Sequence, residues 1–268
     1  MIENKNIVLT GASSGIGLEI LKILKEGSGN RILAVSRRVN SLEDYADNVI
    51  PFSCDISSRT GVDAVFAKAE EEFGTVDIFC ANAGFPYFEE YNYSDWERIE
   101  KIFDTNTLSP IYAYAKFAEH LNGRKGIMAM TISAMGQMAM PGYSLYTATK
   151  FALHGFQQAI RLEKPDNITL CCLYPVATKT NFFHVGGNGI EMRKPFPVQD
   201  AEIVARAAVR GIEKGKERIS PCFLFDISKV LMTVFPPART IYWKMENEKF
   251  REYLKAKSLA KKEDNHVL

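Results

Sequence analysis

Residues 6–26 read NIVLTGASSGIGLEILKILKE, and this stretch decides the fold. Its first part, Asn6–Leu9, is a short apolar run with β-branched residues, which predicts a buried parallel strand. Gly11, Gly15 and Gly17 follow, and then apolar residues at helical spacing. A strand, a glycine-rich turn and a helix in this order predict a phosphate site, because glycines let an anion approach the backbone N–H groups that open the helix. A glycine-rich turn without a ligand is the alternative.

Further apolar runs alternate with amphipathic stretches along the chain. The other predicted strands are 31–35, 49–53, 76–80, 127–132, 168–173 and 218–220, and the predicted helices include 57–73, 94–118 and 199–214. This alternation predicts an α/β fold, a doubly wound and mostly parallel seven-stranded sheet with helices on both faces. We expect the ligand crevice at the carboxyl ends of the strands, where the polar motifs fall.

The second predicted strand ends in Ser36-Arg37-Arg38. In dinucleotide-binding folds an acid at this place binds the ribose 2′-hydroxyl, whereas an arginine suits a 2′-phosphate. Arg37 stands there with Arg38 beside it, and the first acid is Glu43. A guanidinium matches phosphate well, so we expect NADP(H) to be preferred, with NAD(H) possible. Two solvated arginines in a loop are the alternative.

Residues 133–150 read SAMGQMAMPGYSLYTATK. If the chain is helical from Ser144, Tyr146 and Lys150 lie one turn apart on one face. A cation beside a phenol lowers the phenol pKa towards the range of an acid/base catalyst. Tyr-x-x-x-Lys also occurs by chance as a buried aromatic beside a solvated amine.

A polar residue interrupts the predicted helix 94–118, in the segment DTNTLSP. Asn106 has poor helix propensity, and Pro110 cannot donate the backbone hydrogen bond that the carbonyl of residue 106 would accept. We expect a kinked helix with a water or ligand site near Asn106. A surface asparagine is the alternative.

Several motifs in order resemble the short-chain dehydrogenase/reductase family over about residues 5–222. They are TGASSGIG at 10–17, Asp55, ANAG at 81–84, Asn106, Ser133 and YTATK at 146–150. The resemblance implies a Rossmann-type fold and an NAD(P)-dependent oxidoreductase that interconverts a carbonyl and a secondary alcohol.

The resemblance also implies residue roles. Tyr146 would be the general acid/base, Lys150 would bind the nicotinamide ribose and lower the tyrosine pKa, and Ser133 would polarise the carbonyl. Asn106 would anchor a proton-relay water. The implied cofactor-binding residues are Gly11, Ser13, Ser14, Gly15, Ile16, Gly17, Arg37, Arg38, Asp55, Asn82, Ala83, Gly84, Tyr146, Lys150 and Thr180.

One residue departs from the family pattern. After the sixth strand the family has Pro-Gly, whereas here Val176 follows Pro175. Thr180 stands where the family has the threonine that binds the cofactor carboxamide, so the departure bears on cofactor geometry at this end of the site.

The predicted substrate region is apolar. Segment 181–198 reads as a lid within a domain of residues 1–222, because glycines and prolines alternate with apolar residues. The residues expected to border the substrate are Met135, Met138, Met140, Tyr143, Phe182, Phe183 and Phe196. They carry no fixed cation, so we expect a fairly apolar carbonyl or alcohol such as a lipid, acyl or steroid-like compound. Packing within the lid is the alternative.

Residues 223–268 form a C-terminal extension, apolar at first and then basic. Pro236-Pro237 would break the chain, and 238–262 predicts a mixed basic helix. An oligomer contact or a lid helix is favoured, and a peripheral membrane helix is the less favoured interpretation.

Composition excludes several classes of function. The net charge of +1 over 268 residues gives no reason to expect a nucleic-acid partner. Five scattered cysteines and four histidines without ligand spacing argue against a disulfide framework and a metal site. With no signal peptide and no long apolar run, we expect a cytoplasmic protein, and the family resemblance implies a homodimer or homotetramer. A non-catalytic NADP(H)-binding sensor or scaffold is the alternative function.

Overall fold

The computed structural model describes residues 1–42, 45, 47–90, 94–187, 190 and 193–264. Seven parallel strands form one sheet in the spatial order β3-β2-β1-β4-β5-β6-β9. Their bounds are β1 Asn6–Thr10, β2 Arg31–Ser36, β3 Val49–Ser53, β4 Ile78–Ala81, β5 Gly126–Thr131, β6 Ile168–Leu173 and β9 Arg218–Ile219, with a separate parallel pair of β7 Ala177–Lys179 and β8 Val198–Asp200. The predicted seven-stranded doubly wound sheet is confirmed.

Helices cover both faces of the sheet. Within β1, Ile7 and Leu9 pack into the cluster with α1 and α7, whereas Val8 packs into the cluster with α2, α4 and α5. Successive strand residues point to opposite faces, so an unbroken apolar strand is buried on both sides. The helix bounds are α1 Gly15–Leu24, α2 Arg59–Phe73, α3 Trp96–Phe103, α4 Ser109–Leu121, α5 Ser144–Glu163, α6 Phe182–Gly186, α7 Ala201–Glu213, α8 Phe223–Val234 and α9 Pro236–Asp264.

The strand order reverses direction between β1 and β4, which are direct neighbours in the sheet. From β1 the chain runs outward through β2 to β3, and then returns to β4 on the other side. The helices that follow β1 and β4 therefore diverge, and a crevice opens at the carboxyl ends of these two strands. This is the crevice expected from the sequence.

The predicted helix 94–118 is two helices joined by a π-helical turn. This turn, Asp104–Leu108, contains Asn106 and lies directly before Pro110. Because proline has no backbone N–H, the i→i−4 hydrogen bond to the carbonyl of residue 106 cannot form. The helix widens there into a π-helical turn, in which the Ser109 N–H donates to the Asp104 carbonyl five residues earlier. The predicted interruption at Asn106 is observed.

The predicted lid and C-terminal extension contain regular structure. The lid segment 181–198 includes α6, while Gly189 and Met192, which contributed to its prediction, lie outside the described residues. In the extension, Pro236 is the first residue of α9, so the two prolines begin this helix. Within the described ranges, none of the helices is long and apolar enough to cross a membrane.

Candidate active site

The glycine-rich turn between β1 and α1 is packed too closely for side chains. Gly11 and Gly15 have φ angles of +69° and +56°, in the region that favours glycine. A Cβ on Gly17 would lie 2.1 Å from the carbonyl oxygen of Gly11. The turn therefore holds the first N–H groups of α1 open at the crevice, which suits a phosphate group.

Two threonines, Thr10 of the glycine motif and Thr131 of β5, were assigned no role from the sequence, and they tie this turn to the neighbouring strands. The hydroxyl of Thr10 accepts hydrogen bonds from the backbone N–H groups of Asn82 at 3.0 Å and Ala83 at 3.1 Å. The Asn82 side chain donates to the Thr10 carbonyl at 3.1 Å and accepts from Thr131 Oγ1 at 3.0 Å. Asn82 therefore fixes the ends of β1, β4 and β5 relative to one another.

One cavity of about 320 Å³ brings the predicted site residues together. Every predicted cofactor-binding residue lines it, as do the predicted catalytic Ser133, Tyr146 and Lys150. Asn106 is the exception, because it lies behind the cavity wall. Residues that are more than a hundred positions apart in sequence thus share one site.

Arg37, Arg38 and Asp55 line the end of the cavity beside β2 and β3. Both arginines are exposed, and neither guanidinium has a hydrogen-bond or ion-pair partner among the residues that the structure describes. The backbone N–H of Ser57 donates to the Asp55 carboxylate at 3.0 Å and lowers its pKa, and Arg37 lowers it further. This end of the cavity therefore offers two available cations and one ionised carboxylate.

Tyr146 and Ser133 face each other at the centre of the cavity. Ser133 has a φ of 118°, unusual for a residue other than glycine, and its hydroxyl accepts a hydrogen bond from the Met135 N–H at 3.1 Å. Burial raises the pKa of Tyr146 to about 12, and a hydrogen bond with Ser133 opposes part of this rise. The phenol is therefore held protonated, beside a hydroxyl.

Lys150 is almost fully buried, with 3% of its surface exposed. Its ammonium group donates to the Thr131 carbonyl at 3.0 Å and lies 5.7 Å from the centroid of the Tyr146 ring. Burial lowers the pKa of Lys150 to about 7. The expected lowering of the Tyr146 pKa is not found, because burial disfavours the charged forms of both groups.

The Asn106 side chain is fully buried and its amide is engaged. It donates to the Phe85 carbonyl at 2.9 Å and accepts from the Phe85 N–H at 3.0 Å. It also donates to Thr149 Oγ1 at 3.3 Å, one residue before Lys150. Asn106 therefore holds the loop after β4 against α5 from behind the cavity.

The opposite end of the cavity is apolar. Of the residues predicted to border the substrate, all but Tyr143 line it, and Phe182 packs edge-on against the Tyr146 ring at 5.3 Å. Tyr143 is buried against Phe88 instead, with ring centroids 4.7 Å apart. Val176, which stands where the family pattern has glycine, also contributes its side chain to the wall. Thr180 lies against Gly15, whose Cβ would be 3.2 Å from its methyl group.

The C-terminal extension, for which an oligomer contact or a lid helix was favoured, supplies part of this wall through two residues that the sequence did not indicate. Phe225 of α8 and Tyr242 of α9 line the cavity. The Tyr242 hydroxyl donates to the Phe196 carbonyl at 2.7 Å, and Trp243 Nε1 donates to the Ala139 carbonyl at 2.9 Å. Helix α9 therefore holds the lid segment and the loop between β5 and α5 in place.

The cavity fits a dinucleotide cofactor. The glycine turn gives a close backbone approach at one end, and the line from Arg37 through Asn82 to Tyr146 follows the carboxyl edge of the sheet. Over the same described residues, no group of three or more histidine, cysteine, aspartate or glutamate side chains is placed to hold a metal ion.

Comparisons with known proteins agree with this geometry. The short chain dehydrogenase family model matches residues 5–187. The chain is similar to a 3-ketodihydrosphingosine reductase of Dictyostelium discoideum, with 26% identity over 90% of this chain and 80% of that protein.

Solved structures share the fold. An alcohol dehydrogenase from Thermococcus sibiricus, complexed with 5-hydroxy-NADP, is 26% identical over 81% of this chain and 95% of its own, with a TM-score of 0.70. A short chain dehydrogenase/reductase from Burkholderia phymatum has a TM-score of 0.76 at 18% identity, over 89% of this chain and 97% of its own. With its glycine turn, its Ser–Tyr–Lys cavity and this sheet, the chain belongs to the short-chain dehydrogenase/reductase family of NAD(P)-dependent oxidoreductases.

Proposed function

We propose that this protein is an NADP(H)-dependent oxidoreductase that interconverts an uncharged, apolar ketone and its secondary alcohol. The observation that carries the proposal is the cavity itself, with Ser133, Tyr146 and Lys150 between a polar cofactor half and an apolar half. The bound cofactor would supply or accept the hydride. The relative from Dictyostelium discoideum acts, by its name, on a 3-keto compound.

In the reductive direction the residues of this chain would handle the proton. The Ser133 hydroxyl would donate a hydrogen bond to the substrate carbonyl oxygen and hold it beside Tyr146. The Tyr146 phenol, held protonated by burial, would transfer its proton to that oxygen as negative charge develops there. The reverse transfer would serve alcohol oxidation.

Lys150 and Asn106 have supporting parts in this proposal. The Lys150 ammonium lies beneath the ring of Tyr146, where it would bind the nicotinamide ribose and favour the phenolate after proton transfer. Asn106 would act as a positioning residue, because its amide joins Phe85 to Thr149 and so sets α5 against the loop after β4.

The apolar half of the cavity supports an uncharged substrate. Its wall is formed by methionine, phenylalanine and tyrosine side chains from the loop after β5, the lid segment and the extension. Methionine side chains adapt to irregular apolar shapes, so we expect tolerance among substrates of similar polarity.

A carbonyl screen tests the substrate class. NADPH oxidation would be followed with alkyl ketones, cyclic ketones, aldehydes and 2-keto acids. We expect kcat/KM for uncharged ketones to exceed that for 2-keto acids by roughly tenfold or more, because burying an unpaired carboxylate in an apolar wall is unfavourable. A preference for 2-keto acids would contradict the proposal.

Arg37→Asp tests the cofactor preference. The new carboxylate would repel a 2′-phosphate and accept a hydrogen bond from a 2′-hydroxyl, so the ratio of NADPH to NADH affinity should fall by roughly tenfold or more. Fluorescence titration of both cofactors would measure it. Arg251→Asp on α9 makes the same change in net charge and is the matched control. If the ratio of NADPH to NADH affinity is unchanged in Arg37→Asp, Arg37 does not contact the 2′ position of the cofactor.

A further inference from the structure

Helix α8 carries an apolar stripe that faces outward. Its large apolar residues recur at intervals of three and four, which places them on one side of the helix. Each is between 47% and 80% exposed: Phe223, Leu224, Ile227, Val230, Leu231 and Val234. A surface helix of a globular protein normally turns such a stripe towards the core.

The opposite side of α8 attaches the helix to the protein. Phe225 is buried with 3% of its surface exposed, and it reaches the cavity wall. Lys229 donates to Gln137 Oε1 at 2.9 Å, and Arg218 pairs with Asp226 at 2.6 Å. These contacts fix the rotation of the helix, so the outward orientation of the stripe is a property of the fold.

The apolar surface continues past the end of α8. Phe235 is 54% exposed, and the adjoining Pro236 and Pro237 are also exposed. On α9, which packs against α8, Ile241 and Met245 are exposed one turn apart. A cluster of large exposed apolar side chains on a folded protein marks a site of contact with another apolar surface.

The charge around this surface favours a lipid bilayer over a second copy of the chain. Residues 236–260 contain six cationic and three anionic side chains, so cations are in excess. Lys244, Arg251 and Lys255 are exposed among the cations, and Glu248 and Glu252 are exposed among the acids. Anionic lipid headgroups would complement these cations. A symmetric self-contact that brought two copies of α9 together would bring two segments of the same net charge together, which is unfavourable.

Helices α8 and α9 also border the active-site cavity. Phe196 lines the cavity and is 62% exposed, and the Tyr242 hydroxyl of α9 donates a hydrogen bond to the Phe196 carbonyl. Phe225 lines the same cavity from the inner side of α8. A bilayer against α8 would therefore lie beside the apolar half of the cavity.

We propose that the outward stripe of α8, with Phe235 and the start of α9, docks this protein onto the surface of an anionic lipid bilayer. The stripe would enter the boundary between headgroups and acyl chains, and the cations of α9 would contact the headgroups. No segment of α8 or α9 crosses the bilayer in this arrangement. Docking goes beyond the proposed reaction and does not depend on it.

Vesicle flotation of the full chain tests the proposal. The probes are vesicles of phosphatidylcholine with about one third phosphatidylglycerol, and vesicles of phosphatidylcholine alone, without cofactor or substrate. We expect the wild-type chain to bind the anionic vesicles, and more weakly the neutral ones. The triple variant Ile227→Gln, Val230→Gln and Val234→Gln should bind anionic vesicles at least about tenfold more weakly.

Leu162→Gln is the matched control, because Leu162 of α5 is 90% exposed and lies outside the stripe. It should bind vesicles like the wild type, and circular dichroism would confirm that all variants are folded. Failure of the wild type to bind, or equal binding by the triple variant, would overturn the proposal. Sedimentation would then compare the particle masses of the wild type and the triple variant. An oligomeric wild type and a smaller triple variant would assign the stripe to contact with a second copy of the chain.

Discussion

Replacing Tyr146 with phenylalanine is expected to lower kcat for the best ketone by roughly a thousandfold. The change removes one hydroxyl, which is the group that would protonate the developing alkoxide, and acid/base catalysis of this kind typically contributes about 10²–10⁴-fold. The ring would still pack edge-on against Phe182, so the cavity should keep its shape. Steady-state assays and an NADPH titration would separate catalysis from binding, and NADPH affinity should change less than about threefold.

Tyr112→Phe provides the matched control for this substitution. Its hydroxyl donates to Asp63 at 2.7 Å between α4 and α2, away from the cavity. Losing that hydrogen bond should cost about 1 kcal/mol of stability and leave kcat unchanged. If Tyr146→Phe retains wild-type turnover while Tyr112→Phe behaves as expected, Tyr146 is not the acid.

Gly17→Ala should reduce both cofactor binding and stability. The added Cβ would lie 2.1 Å from the Gly11 carbonyl oxygen and 2.6 Å from the Asn82 amide nitrogen. Since the first contact is with backbone, the turn between β1 and α1 must shift, and overpacking of this kind costs about 1–3 kcal/mol or more. We expect NADPH affinity to fall by roughly tenfold or more, because the N–H groups of the turn move with the backbone.

Gly155→Ala is the matched control, since it makes the same chemical change in a different helix. Gly155 lies inside α5 and a Cβ there would meet nothing within 4 Å. Because alanine is the better helix former, this variant should be stabilised by about 0.5–1 kcal/mol. Thermal unfolding and NADPH titration of the pair would measure both effects. Equal NADPH affinity in Gly17→Ala and the wild type would show that the turn does not hold the cofactor.

The cofactor half of the site could be predicted from sequence because it depends on short-range signals. The apolar run of β1, the spacing of Gly11, Gly15 and Gly17, and Arg37 at the end of β2 each imply a local structure. The carboxyl ends of parallel strands then meet at one edge whatever the lengths of the connections. The helix interruption at Asn106 could also be predicted from a short-range signal, because Pro110 lacks the backbone N–H that would donate to the carbonyl of residue 106.

Long-range packing decided what sequence reasoning missed. Phe225 and Tyr242 line the cavity because the chain returns to it through α8 and α9, and no local pattern in the sequence identifies the residues of the extension that reach the wall. The outward stripe of α8 is another case, because helical spacing defines a face but not the direction in which it points.

The pKa values of Tyr146 and Lys150 also depend partly on sequence and partly on long-range packing. Their spacing of four residues on α5 is set by sequence, and it places the ammonium beneath the phenol ring. How strongly each group is buried depends on β5, the lid segment and the neighbouring helices, and burial outweighs the expected attraction. Sequence alone determined the sheet, the glycine turn and the order of the site residues. Tertiary structure decided the direction of the pKa shifts of Tyr146 and Lys150, because desolvation depends on every element packed around a group. It also decided which residues form the wall of the substrate region, because these come from distant parts of the chain.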